Sequence, residues 1–333
     1  MINQPILTIV VPCYNEEEVF QATYKQLREV MLHLITECHI HPESKILFVD
    51  DGSKDSTWQL IETVYKQDDL INGLKLSRNF GHQRALLAGL EKANTYSDCI
   101  ISIDADLQDD IDVIKEFVLK YLEGYDIVYG VRESRKTDSF FKRTTAIGFY
   151  RIMEKLGLPL IYNHADYRLL SKRAVETLLQ FKEVNLFLRG IVPLVGFKST
   201  KVFYDRKERL AGESKYPFKK MISFAFDGLT SFSVKPIRFI TILGFLSAVV
   251  SVIAGIYVFI EKLLSHPVSG WASIMISLWF IGGLLLMSIG LIGEYIGKIY
   301  EEVKQRPRYI IDQSLLHEIH TQQDLEQKQK VLN

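Results

Sequence analysis

The stretch that decides the reading is Cys99-Ile100-Ile101-Ser102-Ile103-Asp104-Ala105-Asp106-Leu107-Gln108-Asp109. Its first half, Cys99 to Ile103, is short, rich in isoleucine and not alternating, which is the pattern of a strand buried on both faces. It ends abruptly in carboxylates, and Asp104 and Asp106 are one residue apart. In an extended segment, positions i and i+2 point to the same side. Two carboxylates on one side at a strand's C-terminal edge make a hard-oxygen site suited to Mg²⁺ or Mn²⁺. Such a cation keeps several waters and takes further ligands from substrate phosphates. The plainer alternative is an acidic turn that caps the next helix, because Asp109 and Asp110 precede a helical stretch. The flanking sequence decides between them.

Upstream, Ile6 to Val11 reads as a first strand that Pro12 ends, and Asn15-Glu16-Glu17 opens a helix running to about Glu37. Lys45 to Val49 reads as a second strand ending in Asp50-Asp51-Gly52-Ser53, where Ser53 or Asp55 can cap the next helix. Leu74 to Leu76 is a short third strand leading into Ser77-Arg78-Asn79-Phe80-Gly81-His82-Gln83-Arg84 and a helix. Downstream of the acidic stretch come a helix from about Ile111 to Glu123 and a fifth strand, Ile127 to Tyr129. Strands alternating with helices predict a mostly parallel, Rossmann-like α/β sheet, whose ligands bind beyond the carboxyl ends of the strands. Tyr14 and Glu16, Asp51, Arg78, and Asp104 with Asp106 all fall at such ends. No Gly-x-Gly-x-x-Gly follows the first strand, and there is no Walker-type Gly-Lys-Ser/Thr. Phosphates are therefore expected to be met by metal and arginines.

Composition sets the outer limits. The 333 residues carry 40 basic and 40 acidic side chains, so bulk charge gives no reason to expect nucleic acid. Three cysteines, Cys13, Cys38 and Cys99, have no metal-like spacing and fit a reducing compartment. The first residues lack the basic n-region of a signal peptide. After Lys235 the character changes. Phe239 to Ile260 and Trp271 to Gly293 contain no charged residue, and each is long enough to span a bilayer. Lys235 and Arg238 precede the first span, Lys298, Lys304, Arg306 and Arg308 follow the second, and the connection holds only Lys262. The positive-inside bias predicts a hairpin with both termini in the cytosol. Gly282, Gly283, Gly290, Gly293 and Gly297 would allow close helix packing, within the hairpin or between subunits. Pro217 to Ser233 reads as an amphipathic helix at the membrane interface, and the polar segment from Asp312 onward as a loose tail.

Taken together, Pro12-Cys13-Tyr14-Asn15-Glu16-Glu17, Asp50-Asp51-Gly52-Ser53, Ser77-Arg78-Asn79-Phe80-Gly81 and Asp104-Ala105-Asp106-Leu107-Gln108 resemble, in order and spacing, a family 2 glycosyltransferase of the GT-A fold. The subgroup it looks like is the polyprenyl-phosphate glycosyltransferases, such as bactoprenol glucosyltransferases and dolichyl-phosphate mannose synthases. The resemblance implies a GT-A catalytic domain over 1–210, a lid loop and interfacial helix over 211–235, two transmembrane helices within 236–297 and a cytosolic tail over 298–333. It implies that Pro12, Tyr14, Glu16, Asp51 and Arg78 serve the donor. Asp104, Asp106 and Gln108 would hold Mg²⁺ or Mn²⁺ against its diphosphate. Without the family, Tyr14 simply packs and Asp51 shapes a turn. His82 is expected to cap the helix or face solvent.

His164-Ala165-Asp166-Tyr167-Arg168-Leu169 matches the family's Asp-x-Arg-Leu segment, making Asp166 the candidate catalytic carboxylate, beside Asp106, with Arg168 as its partner. Phe187, Arg189 and Gly190 fall in a loop near the family's active site. Arg132 and Arg135 follow the fifth strand, and Arg209 and Lys215 lie in a segment like the family's Arg-x-x-Gly-Glu-Ser-Lys loop. All four are candidate phosphate or acceptor contacts, since guanidinium suits phosphate.

The implied activity is that of a multi-pass plasma-membrane hexosyltransferase. It would move glucose or N-acetylglucosamine from a UDP-sugar to undecaprenyl phosphate on the cytosolic face, with inversion. The implied partners are the nucleotide sugar, the polyprenyl phosphate, the membrane, further copies of the chain (a tetramer among the options), and a downstream flippase and membrane glycosyltransferase that decorate a cell-wall polymer or O-antigen. A GDP-mannose-dependent polyprenyl-phosphate mannose synthase is the alternative. A processive synthase would need Gln-x-x-Arg-Trp, and no tryptophan here follows an arginine. A non-enzymatic membrane scaffold is disfavoured by the intact acidic and basic positions.

Overall fold

The computed structural model describes residues 4–133, 164–183, 188–205, 235–263 and 270–317. The first of its two compact units comprises Met1–Tyr150, Pro159–Lys215 and Pro307–Asn333. Its described strands are β1 (Leu7–Cys13), β2 (Lys45–Asp50), β3 (Ile71–Leu76), β4 (Cys99–Ser102), β5 (Ile127–Arg132), β6 (His164–Ser171), β7 (Ser199–Tyr204) and β8 (Ile311–Leu315). They form one sheet in the order β7-β5-β6-β4-β1-β2-β3-β8. The helices are α1 (Glu17–Thr36), α2 (Thr57–Tyr65), α3 (His82–Ala93), α4 (Ile114–Leu122), α5 (Lys172–Gln180) and the short α6 (Leu188–Ile191).

The centre of the sheet is parallel, β4-β1-β2-β3, as the alternating pattern predicts. Strands β1, β2 and β4 are buried along their whole length, which is why they read as continuous apolar runs. α1 places Val19, Phe20, Thr23, Leu27, Met31 and Leu34 inward at helical spacing. Gly89 lets α3 lie on the sheet, since a Cβ there would come within 2.4 Å of Val10 and 2.9 Å of Val49 side-chain atoms.

Pro12 does not end β1; it is paired within it, opposite Val49. The Val10 carbonyl accepts from Ile103 N on the β4 side, and the Cys13 carbonyl accepts from Asp51 N on the β2 side. The alternation turns the Pro12 nitrogen toward the β4 side, just past the last β1–β4 pair at Val10 and Ser102, so its missing N–H falls where that ladder ends while the β2 ladder continues.

β6 runs antiparallel between β4 and β5. Ser102 pairs with Arg168, so continuing that register past the end of β4 sets Asp166 opposite Asp104. The C-terminal segment also departs from expectation. Ile311 to Leu315 is not a loose tail but β8, an edge strand antiparallel to β3. The segment is pinned on both sides of the strand. Arg308 donates to the Phe181 carbonyl, Tyr309 O–H to Glu91, and Ser77 N to the Ile310 carbonyl. His317 N donates to Asn72 Oδ1 at 3.0 Å, and its ring stacks on Tyr65 at 4.2 Å between centroids.

The second unit comprises Arg151–Leu158 and Tyr216–Arg306. Its described helices are α7 (Lys235–Leu263) and α8 (Trp271–Val303), which touch each other. Ile237–Tyr257 and Ser277–Val303 are long and apolar enough to cross a membrane. Their large side chains, such as Phe245, Trp279 and Leu286, point outward, as lipid-facing residues do. A Cβ built on Gly282, Gly283, Gly290, Gly293 or Gly297 meets no atom within 4 Å, so among the described residues these glycines do not seat a helix contact.

Candidate active site

The carboxyl ends of β1, β2 and β3 gather the first group of predicted residues. The turn after β1 is laced to the turn after β2. Asn15, at φ +53°, takes Ser53 Oγ on its N–H at 3.0 Å and accepts from Lys54 N at 2.8 Å. Glu16 N donates to Thr57 Oγ1 at 2.9 Å, and Glu17 exchanges bonds with Asp55 and Ser56. Tyr14 and Glu16 are half-buried at this seam, and Pro12 is buried beneath it. Asp51 is 2% exposed and accepts from Phe80 N at 2.7 Å and Gly81 N at 2.9 Å, one bond on each oxygen. That is the turn-shaping role: Asp51 fastens the loop after β3. Arg78 is exposed, with its guanidinium 4.1 Å from the Phe80 ring centroid.

The second group surrounds the end of β4. The strand stops at Ser102, and Asp104 to Asp106 is a turn rather than an extended segment, with Leu107 at φ +44° and its N–H 3.4 Å from the Asp104 carbonyl. The shared-side argument from strand geometry therefore does not apply; the turn brings the two aspartates together. Thr23 of α1 holds it by donating to the Ala105 carbonyl at 2.6 Å. Gln108 is buried, and its N–H donates to Asp106 Oδ1 at 3.3 Å. Of the two aspartates that were candidates to cap the next helix, Asp110 does so, accepting from Asp112 N at 3.3 Å, and Asp109 does not. It is buried at 2% exposure and accepts from Arg132 Nη2 at 2.9 Å and Tyr204 O–H at 2.6 Å. Arg132 at the end of β5 and Tyr204 at the end of β7 are register partners, which is how both reach it.

Asp166 faces this turn from β6. Its carboxylate accepts from Arg168, from Arg189 Nη2 at 3.0 Å and from Arg189 Nε at 3.3 Å. His82 Nε2 stands 3.4 Å from Asp104 Oδ1 and 3.9 Å from Asp166 Oδ2. One residue thus joins the site that the sequence had assigned elsewhere, His82, and another, Arg189, takes the place near the site that the family resemblance implied. His82 opens α3 and keeps 39% of its side-chain surface exposed, as expected, but it also stands between two carboxylates. Its position at the end of the β3 loop, on the same sheet edge as Asp104, was the available signal. The resemblance placed Arg189 near the site but gave it no partner; packing brings it to Asp166, α6 being tied by its Leu188 N–H to Gln83 Oε1 at 3.2 Å.

The electrostatics separate the two acids. Burial alone would raise the Asp166 carboxyl; Arg189, Arg168 and His82 outweigh it and hold it well below the ordinary carboxylate range. Asp104 goes the other way. Its side chain keeps 39% of its surface, but the domain crowds it enough that desolvation pushes the carboxyl up, against the pull of His82 and with the repulsion of Asp166, Asp109 and Asp106. Among the described residues no three His, Cys, Asp or Glu side chains form a closed metal cage. An open pair of carboxylates fits a Mg²⁺-type cation instead, which is bound through one or two carboxylates with substrate phosphates completing its shell. Arg135, Arg209, Lys215 and Phe187 lie outside the described residues.

The model of Glycosyl transferase family 2 matches residues 8–179, and that of the GtrB C-terminal hairpin matches residues 235–299. An uncharacterized glycosyltransferase of Bacillus subtilis (strain 168), YkoT, is 66% identical, with 95% of this chain and 94% of the relative covered. The bactoprenol glucosyl transferase of Shigella phage SfV is 42% identical, with 92% and 97% covered. Among solved structures, the mannosyltransferase PcManGT from Pyrobaculum calidifontis in complex with GDP-Man and Mn²⁺ aligns at 14% identity and a TM-score of 0.43, over 91% of this chain and 86% of that one.

Proposed function

The chain belongs to glycosyl transferase family 2, and on that premise we propose that it transfers glucose or N-acetylglucosamine from a UDP-sugar to undecaprenyl phosphate at the cytosolic face of the plasma membrane. The observation that carries the reading is the joining, in one chain, of the Asp104/Asp106 turn at the carboxyl ends of a parallel sheet with two membrane-length apolar helices. Relatives named as bactoprenol glucosyl transferases support the acceptor class.

In this reading Tyr14, Glu16 and the loop fastened by Asp51 receive the nucleoside, while Asp104, Asp106 and Gln108 would hold a divalent cation. When bound, the cation offsets charge developing on the leaving diphosphate. The acceptor phosphate oxygen bonds to the anomeric carbon as the bond to the diphosphate breaks, and attack from the opposite face inverts that centre. Phosphate monoesters have a second pKa of about 6, so the nucleophile is already largely dianionic at cytosolic pH. Arg132, Arg135, Arg209 and Lys215 remain proposed phosphate contacts, and the product goes to a flippase and a membrane glycosyltransferase. A homo-oligomer is part of the same proposal.

The test incubates membranes containing the full chain with labelled UDP- and GDP-sugars and polyprenyl phosphate. Label entering the lipid phase as a monosaccharide from a UDP-sugar is expected. Label from GDP-mannose alone would replace the donor, and no lipid label from any donor would overturn the reading.

A further inference from the structure

Asp166 occupies the place of a general base, yet both of its oxygens already accept from arginines. One oxygen accepts from Arg168 and Arg189 Nε, and the other accepts from Arg189 Nη2 with His82 beside it. The two arginines differ in what they can do next. Arg168 is 2% exposed and its Nη1 faces the Leu188 carbonyl at 3.5 Å, so it belongs to the interior. Arg189 keeps 40% of its side-chain surface exposed. The two-point grip of Asp166 on Nε and Nη2 fixes the plane of the Arg189 guanidinium, and the Gln83 bond to Leu188 fixes the helix that carries it. Through His82, this pair is continuous with Asp104.

We infer that Arg189 binds the acceptor's phosphate, beyond the contacts already proposed, and that Asp166 is its positioning residue rather than a base. The inference rests on the reading of the acceptor as a phosphate monoester. A phosphate must approach a donor diphosphate beside several carboxylates, and a cation is needed where the two anions meet. Guanidinium is suited to that task because it binds phosphate through paired N–H groups. Arg132 is less available: it holds the buried Asp109, is 26% exposed, and would leave that carboxylate uncompensated if withdrawn. No proton has to leave the acceptor. Its oxygen gains the bond to the anomeric carbon, and the diphosphate departs with the electron pair of the bond that breaks. A carboxylate bound by two guanidiniums then serves as an orienting group, with its charge holding Arg189 ready.

The experiment uses the full chain in lipid nanodiscs, as wild type, Arg189→Ala, Arg189→Lys and Asp166→Asn. Three quantities are measured: UDP binding, binding of undecaprenyl phosphate, and transfer across a range of undecaprenyl phosphate concentrations. Arg189→Ala is expected to weaken lipid-phosphate binding and raise its apparent KM by roughly 10–100-fold, the loss of a charged hydrogen bond, with UDP binding intact. Arg189→Lys should recover part of the loss. Asp166→Asn should shift the same KM and keep measurable turnover at saturating lipid, since its amide oxygen can still accept from Arg189. Unchanged lipid binding and KM in Arg189→Ala would overturn the inference, as would an Asp166→Asn variant that loses turnover with lipid KM untouched. The function reading fails separately: a wild type that binds the lipid phosphate through Arg189 but transfers no sugar sinks the reading and keeps the inference. A wild type that neither binds nor transfers sinks both.

Discussion

Gly52 stands directly against the backbone of Arg78. At φ +67° a Cβ built on Gly52 would lie 2.4 Å from the Arg78 carbonyl carbon and 2.6 Å from the Asn79 nitrogen. The loops after β2 and β3 are therefore in main-chain contact, and Asp51 fastens the same pair of loops one residue earlier. Gly52→Ala is expected to force them apart, costing about 2 kcal/mol or more through strain and overlap, and to weaken UDP binding. Gly124→Ala is the control. Its φ is +85° but nothing lies within 4 Å, so it should cost only the left-handed strain of about 1–2 kcal/mol and leave UDP binding unchanged. Thermal melting and calorimetry on both variants check this.

Asp104→Asn and Asp106→Asn should abolish transfer while leaving the protein folded and inserted. Excess chelator should do the same, reversed by Mg²⁺ or Mn²⁺. The crowding of Asp104 by Asp106, Asp109 and Asp166 adds a second expectation. Removing one charge from this cluster should raise the melting temperature of metal-free protein. Full activity in chelator, or a lower metal-free melting temperature in Asp104→Asn, would contradict the metal assignment.

Arg132→Ala strips Asp109 of its guanidinium partner in a site that is 2% exposed. Breaking such a buried pair costs about 3–5 kcal/mol, so the first effect expected is loss of stability. Tyr204→Phe removes only the 2.6 Å hydroxyl bond to the same carboxylate and should cost about 1–3 kcal/mol. Denaturant titration of the two variants gives the order. Equal effects would mean that Arg132 does not hold Asp109.

Removing residues 307–333 uncovers the edge of β3 along Gly73 to Leu76 and the Tyr65 ring. The truncated protein is expected to melt lower and to aggregate, because an unpaired strand edge templates association. His317→Ala should reproduce a fraction of the loss, on the order of the 0.5–1.5 kcal/mol of one ring stack. Light scattering with melting curves reads both.

Asp126 immediately precedes β5, at the end of that strand opposite Arg132, and ties Arg173 to Ser171, whose hydroxyl accepts from Ala174 N at the start of α5. The Arg173 hydrogen bonds hold its carboxyl below the ordinary range. A depressed folded pKa contributes stability above the unfolded value, about 3.9, and that contribution is lost as pH falls through the folded value. Asp126→Asn should therefore melt below wild type at pH 7, with the gap closing as the pH drops beneath about 4. A gap that is constant with pH would deny the ion pair.

The amino-acid sequence by itself determined the parallel centre of the sheet, because buried strands are written as unbroken apolar runs between helical periods. It also determined the loops at the strand ends and the two membrane-length helices, since twenty uncharged residues in a row need no tertiary context to be read. Tertiary structure decided what long-range pairing alone can decide. Antiparallel β6 sets Asp166 opposite Asp104 through a register that joins segments more than sixty residues apart. Packing of α6 delivers Arg189 to Asp166, and strand pairing across more than two hundred residues turns the polar segment after Ile310 into the edge of the sheet. Local propensity carries none of these, because a carboxylate's partner and a strand's neighbour are chosen by burial and hydrogen-bond completion over the whole domain.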